Sequence, residues 1–192
     1  MDRQNRIVFL RGRKTILRPI TKADAPLFVR WMNDPDVRLY LQGLMPFTET
    51  GELAWIEGLD KRPNDIVLMV ETLDGVPIGS MGLHGIEWVN GVASTGAAFG
   101  EKKYWGQGYG QDAKMALLHY AFHTLNLRKI CSACYAFNRR SAAYNQRCGY
   151  RIEGRLRRQV YRRGRYYDLI QLCIFRPWFE AKWKRYQRTG KL

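Results

Sequence analysis

The apolar positions of this chain change period along its length. Lys14 to Pro19 alternates and predicts a strand. The spacing then turns helical through Leu27, Phe28 and Trp31, with Asp24 as N-cap and Pro26 tolerated in the first turn. Pro35 disfavours a helical Asp34 and stops that helix at "NDPD". A second helix opens near Thr48 and presents Leu53, Trp55 and Ile56. "DIVLMVETL" and "VPIGSMGL" read as strands joined at Asp74-Gly75, and "HGIEWV" and "VASTGAAF" as strands joined at Asn90-Gly91, both strong hairpin signals. The glycine-rich "YWGQGYG" follows, then a helix with Ala113, Leu117, Tyr120 and Ala121 at helical spacing. "KICSACYAF" reads as a buried strand and "RRSAAYNQR" as a short helix ended by Gly149. "YRIEGRLRRQVY" and "RYYDLIQLCIF" flank a turn at Gly164. Pro177 opens a last helix with Phe179, Trp183 and Tyr186 on one side. The pattern predicts a mixed α/β fold: helices, an antiparallel meander, then a βαβ-like half. With no repeat or linker, residues 1–192 read as a single domain with a basic C-terminal helix at about 177–190.

Composition narrows the class. The chain has 192 residues, 46% hydrophobic and 13% aromatic, enough for an ordinary core. No apolar run approaches the ~20 residues of a membrane span. "MDRQNRIVFLRGRK" has no secretory pattern, and four scattered cysteines do not make a disulfide scaffold. A reduced, cytoplasmic protein without membrane contact is expected. The net charge of +15 is uneven: residues 151–192 hold 13 Lys/Arg against 3 Asp/Glu, the remainder 19 against 14. The basic C-terminus is either a solubilising face or a contact for a polyanion such as nucleic acid or a ribosome.

The glycine loop carries the strongest chemical signal. Gly106, Gly108 and Gly110 precede a helix at once. A glycine-rich turn lets backbone N–H groups converge beyond a helix N-terminus, where the dipole is positive and donors are unpaired; phosphate is the natural guest. A Walker loop would need a Lys-Ser/Thr that is missing, and GxGxG is not the GxGxxG of a dinucleotide fingerprint.

The loop resembles the acyl-CoA pyrophosphate loop of the GNAT superfamily of N-acetyltransferases. The "YWGxGYG" form is similar to the branch that includes ribosomal-protein and spermidine acetyltransferases, although Trp105 stands where the family motif has Arg or Gln. "LRPITKADAPLFVRWMNDPDVRLYL", "NLRKICSACYAFNRRSAAYNQRCGYRIEGRLRRQ" and "GRYYDLIQLCIF" are similar to other segments of that branch. The resemblance implies a twisted, mostly antiparallel central sheet flanked by helices, with acetyl-CoA as co-substrate and no metal. It implies direct attack of an amine, small molecule or protein N-terminus, on the thioester. Ala97, Ala98 and Phe99 would offer backbone groups to pantetheine and the acetyl carbonyl. Trp105, Gly106, Gln107, Gly108, Tyr109, Gly110 and Gln111 would hold the pyrophosphate, and Asn138 and Ser141 would meet the pantetheine.

Two positions depart from the family pattern. Ser94 stands where many relatives carry a Glu base, and Asn145 where many carry a Tyr acid, with Tyr144 one step early. His84, Glu87, Ser141 and Tyr144 are the remaining candidates for proton transfer. Trp31, Tyr40 and Trp55 are expected to line or wall the acceptor side, or equally to pack in the core. Asp168, inside "YYDLIQLCIF", is expected either to hold an arginine or to orient the acceptor amine. Cys131 and Cys134 point to opposite faces of a strand and cannot chelate together. His119 and His123 read as a packed or surface pair. A monomer or homodimer is expected. A non-catalytic nucleic-acid- or ribosome-binding module on the same scaffold is the alternative function.

Overall fold

Residues 68–70 show how the layers form. Met69 packs with Phe28, Trp31 and Ile56 on one face of the sheet, whereas Leu68 and Val70 join the larger core on the other. A computed structural model describes residues 7–43 and 45–190. The first six residues of the stretch read for a leader lie outside the described residues, as does Lys191. The strands are β1 (Leu10–Arg11), β2 (Thr15–Pro19), β3 (Ile66–Thr72), β4 (Pro77–Glu87), β5 (Val92–Ala98), β6 (Lys129–Tyr135), β7 (Arg151–Arg162) and β8 (Arg165–Phe175). They form one sheet in the order β1-β2-β3-β4-β5-β6-β8-β7, antiparallel except where β5 meets β6. Helices α1 (Ala25–Asn33), α2 (Pro35–Arg38) and α3 (Glu49–Glu57) lie in the first half. In the second half lie α4 (Tyr109–His119, continued by a π turn to Thr124), α5 (Arg139–Arg147) and α6 (Arg176–Thr189).

The expected elements form, with two differences. The stop at "NDPD" is also a start: the Asp34 carboxylate accepts the N–H groups of Asp36 and Val37, and Pro35 opens the short α2. "VPIGSMGL" and "HGIE" are one strand. Gly85, at φ 57°, takes a left-handed conformation inside β4 and permits a bulge between His84 and Glu87, so the strand bends instead of ending.

One buried carboxylate joins three distant parts of the chain. Asp112, in the first turn of α4, accepts the backbone N–H groups of Arg13, Lys14 and Thr15 at 2.9–3.0 Å. It also accepts the Thr15 hydroxyl at 2.7 Å and the Tyr186 hydroxyl of α6 at 2.6 Å. Gly12 leaves room for it, since a Cβ there would sit 2.1 Å from Asp112 Oδ2. Phe179 and Tyr186 seat α6 in the core, and His119, His123 and Trp183 stack beside them. At the opposite edge of the sheet, β7 carries Arg151, Arg155, Arg157, Arg158 and Arg162, and it bulges between Leu156 and Val160.

Asp112→Ala leaves three backbone donors and two buried hydroxyls without their acceptor. Urea denaturation is expected to show a loss of about 3 kcal/mol, from several unmade buried bonds at 1–3 kcal/mol each with partial rehydration.

Candidate active site

The parallel pairing of β5 with β6 covers only Val92–Ser94 against Lys129–Cys131. Past Ser94 the two strands part. From Thr95 to Ala98 no β6 partner is paired, although β6 itself runs on to Tyr135. At this fork Thr95 Oγ1 still bonds the Cys131 carbonyl at 3.2 Å. Beyond it, the β5 backbone at Gly96, Ala97 and Ala98 faces an opening between strands.

The glycine loop sits just past the end of β5. Gly106 and Gly108 have φ of 77° and 86°, conformations that cost a side chain heavily, and Gly108 is the N-cap of α4. The first helical bond runs from Asp112 N–H to Gly108 O, so the Tyr109, Gly110 and Gln111 N–H groups lie at the open helix end. Trp105 accounts for its departure from Arg or Gln: its indole N–H donates to the Phe99 carbonyl at 2.8 Å and ties the loop to the end of β5. Arg140 packs 4.5 Å from the Trp105 ring, and Lys14 Nζ donates to Gln107 O at 3.2 Å. Both cations border the helix end. Asn138 caps α5 by accepting the Ser141 N–H at 3.1 Å. The left-handed glycines, open helix end and bordering cations fit a pyrophosphate, and the forked strands fit an extended pantetheine arm.

On the other side of Gly96–Ala98 lies a cleft of about 290 Å³, walled by Phe28, Met32, Leu41, Phe47 and Trp55. Its floor is Gly82, Gly96 and Ala97, and its polar groups include Ser80, His84 and Glu52. Gly82 and Gly96 are register partners on β4 and β5. A Cβ on either would come within 3.0–3.3 Å of His84 Nε2, so the paired glycines let the imidazole reach back along the sheet. His84 Nδ1 lies 3.9 Å from Asp65 Oδ2.

The other sequence candidates divide. Trp55 lines the cleft. Trp31 and Tyr40 do not. Trp31 is buried in the second core, donates to Glu101 at 2.9 Å and fills the space left by Gly100, while Tyr40 packs on Phe137. Of the two roles read for Asp168, the structure shows the arginine-holding one: it pairs with Arg155 at 2.6 Å and caps the Arg158 N–H at 2.8 Å, which locks the β7 bulge. Glu87 lies across from Val92 and accepts Asn90 Nδ2 at 2.7 Å. Five residues of strand separate Val92 from Ala97, roughly 16 Å, so Glu87 is remote from the fork. Among the described residues, the buried Tyr144 hydroxyl has no hydrogen-bond partner.

Glu52 and Lys114 were not among the candidates. Neither stands in a motif or spacing that marks it. Lys114 is fully enclosed, donating to Thr95 Oγ1 at 2.8 Å and Asn145 Oδ1 at 3.1 Å. The Tyr144 and Tyr150 rings stand 4.9 and 5.0 Å from its nitrogen. Neither of its hydrogen-bond partners is a carboxylate, and burial lowers its pKa to about 8.

Residues 14–151 match the acetyltransferase (GNAT) domain family, and the chain belongs to it. It is thus an acetyl-CoA-dependent acyltransferase that transfers acetyl to an amine. Among curated relatives, N-acetyltransferase p20 of Bacillus licheniformis, itself uncharacterized, is 28% identical over 83% of this chain and 92% of its own. YoaA of Bacillus subtilis, also an uncharacterized N-acetyltransferase, is 26% identical over 85% and 94%. The fold is shared with spermidine N-acetyltransferase from Vibrio cholerae, solved with CoA and spermine: TM-score 0.80, 20% identity, 87% of this chain and 98% of that one. The family match supports catalysis and gives no support to the non-catalytic binding module. Among the described residues, no helix is long and apolar enough to cross a membrane, and no group of three metal-ligating side chains forms.

Lys114 predicts a pH effect on stability. An unfolded lysine titrates near 10.4, so between about pH 8 and 10.4 the unfolded chain holds a proton that the folded chain has released. Stability gains from this group as pH rises through that window; below pH 8 the full cost of enclosing the cation remains. Measured against Lys114→Met, the wild-type melting temperature is expected to climb from pH 8 to pH 10, and a constant difference would refute the assignment.

Proposed function

We propose that the acceptor is a small-molecule amine or a protein N-terminus that enters the apolar cleft and attacks the thioester directly. The observation that carries this reading is that Gly96–Ala98 borders both openings, the fork on one side and the cleft on the other. Donor and acceptor then meet across a single strand, and holding two reactants in register supplies much of an acyl transfer's acceleration.

Acetyl-CoA supplies an activated acetyl group on a thiol leaving group. The residues of this chain do the rest. The loop from Trp105 to Gln111 holds the pyrophosphate. The backbone of Ala97, Ala98 and Phe99, with Asn138, orients the pantetheine, and an N–H of that strand donates to the carbonyl oxygen as negative charge develops there. His84 takes one proton from the acceptor ammonium. The freed lone pair forms the C–N bond as the C–S bond breaks, and the second proton ends on sulfur. The His84 imidazole beside Gly96 supports this role, since the other histidines, His119 and His123, stack against α6.

Two variants test the reading. Gly108→Glu places a bulky anion at a left-handed N-cap, and calorimetry is expected to lose CoA binding while circular dichroism stays native; unchanged affinity would sink the pyrophosphate assignment. His84→Ala is expected to lower kcat by ~100-fold or more at pH 7 with CoA affinity retained. A variant that turns over like wild type would make His84 structural.

A further inference from the structure

Glu52 belongs to none of the roles above. It lies in the first turn of α3, only 7% exposed, and lines the cleft. Among the described residues its carboxylate has neither a hydrogen bond nor an ion pair, and burial pushes its pKa up with no opposing cause. Most buried acids of this chain are tied down: Asp24 by Arg18 and Thr21, Glu71 by Arg18, Asp112 by its five donors. Glu52 shares the cleft lining with Phe28, Met32, Leu41, Phe47 and Trp55, and a largely buried carboxylate without a partner is costly to keep. A cation in the cleft would offset that cost.

We infer that Glu52 receives the cationic nitrogen of the acceptor and selects a protonated amine carried on an apolar body. This rests on the cleft being the acceptor site. The walls define the body: aromatic and aliphatic side chains around about 290 Å³ suit an aralkyl or branched alkyl group. The carboxylate defines the charge. An amine with its own carboxylate beside the nitrogen, such as a free amino acid, brings a second anion next to Glu52 and is disfavoured. A neutral isostere leaves Glu52 unpaired and is disfavoured for that reason. His84, the other ionisable group on the cleft lining, then takes the proton from the nitrogen that Glu52 has held in place.

Binding of ligands that cannot react separates this inference from the catalytic reading. Calorimetry with CoA-saturated protein compares N,N-dimethyl-2-phenylethylamine, a cation, with 2-phenylethanol, its neutral counterpart. The cation is expected to bind at least tenfold more tightly to the wild type, and the difference is expected to collapse in Glu52→Gln. Equal binding of the two ligands by the wild type, no binding of either, or a preference that survives in Glu52→Gln would overturn the inference. The wild-type comparison stands even if the variant fails to fold. In parallel, thiol release with 2-phenylethylamine is expected to exceed that with phenylalanine by tenfold or more in kcat/KM. No release with any primary amine would instead overturn the acceptor reading of the cleft, while equal release with both would overturn the role of Glu52 alone.

Discussion

The carboxylate of Asp112 is the interaction on which the arrangement depends. It lies one turn into α4, so whatever fixes it also fixes the helix end that follows the glycine loop. Its donors come from the β1–β2 turn and from α6, segments far apart in sequence. A helix N-terminus is a useful anion site only while its direction is held, because the field of the open N–H groups falls off within a turn. Asp112 is itself an anion at that end. It faces away from the loop, toward three backbone amides, so it supports the helix dipole without filling the site.

The second constraint is the fork between β5 and β6. Parallel strands normally stay together until one ends. Here Thr95 closes the fork from inside: its hydroxyl meets Cys131 O, the Tyr150 hydroxyl and the Lys114 ammonium. A polar knot below the fork leaves the strands above it free to diverge. The backbone groups released by that divergence are those of Gly96, Ala97 and Ala98. On the far side, Gly96 leaves room for the His84 imidazole, while Gly82 chiefly clears the Ile66 carbonyl, 2.4 Å from where its Cβ would sit.

Much of this was legible in the sequence. The hairpin dipeptides, the helix start near Thr48 and the glycines at 106 and 108 act through local backbone geometry, and local geometry is what a sequence displays. The single strand β4 was harder to see, because Gly85 serves a bulge as readily as a turn. The acceptor side was read least well. Trp31 and Glu52 both lie on helices that pack over the sheet, and which of them faces the cleft is decided by the packing of α1 and α3 against Met69. The pairings of Lys114 and Asp168 are hidden for a related reason: their partners, Asn145 and Arg155, lie 31 and 13 residues away, and no spacing rule connects them.

The long strand β7 gives the chain's charge another meaning. An edge strand of twelve residues offers a row of backbone groups to any strand that approaches, and twelve is ample for another molecule to add to the sheet. Here the row is lined with arginines and broken by a bulge that Asp168 locks. Arginine side chains repel a like-charged copy, and the bulge spoils the register a second strand would need. Five of the arginines that make the C-terminal quarter basic thus lie where they work against a further strand adding to the sheet: the charge that composition alone suggests is a lure for polyanions also guards an open edge.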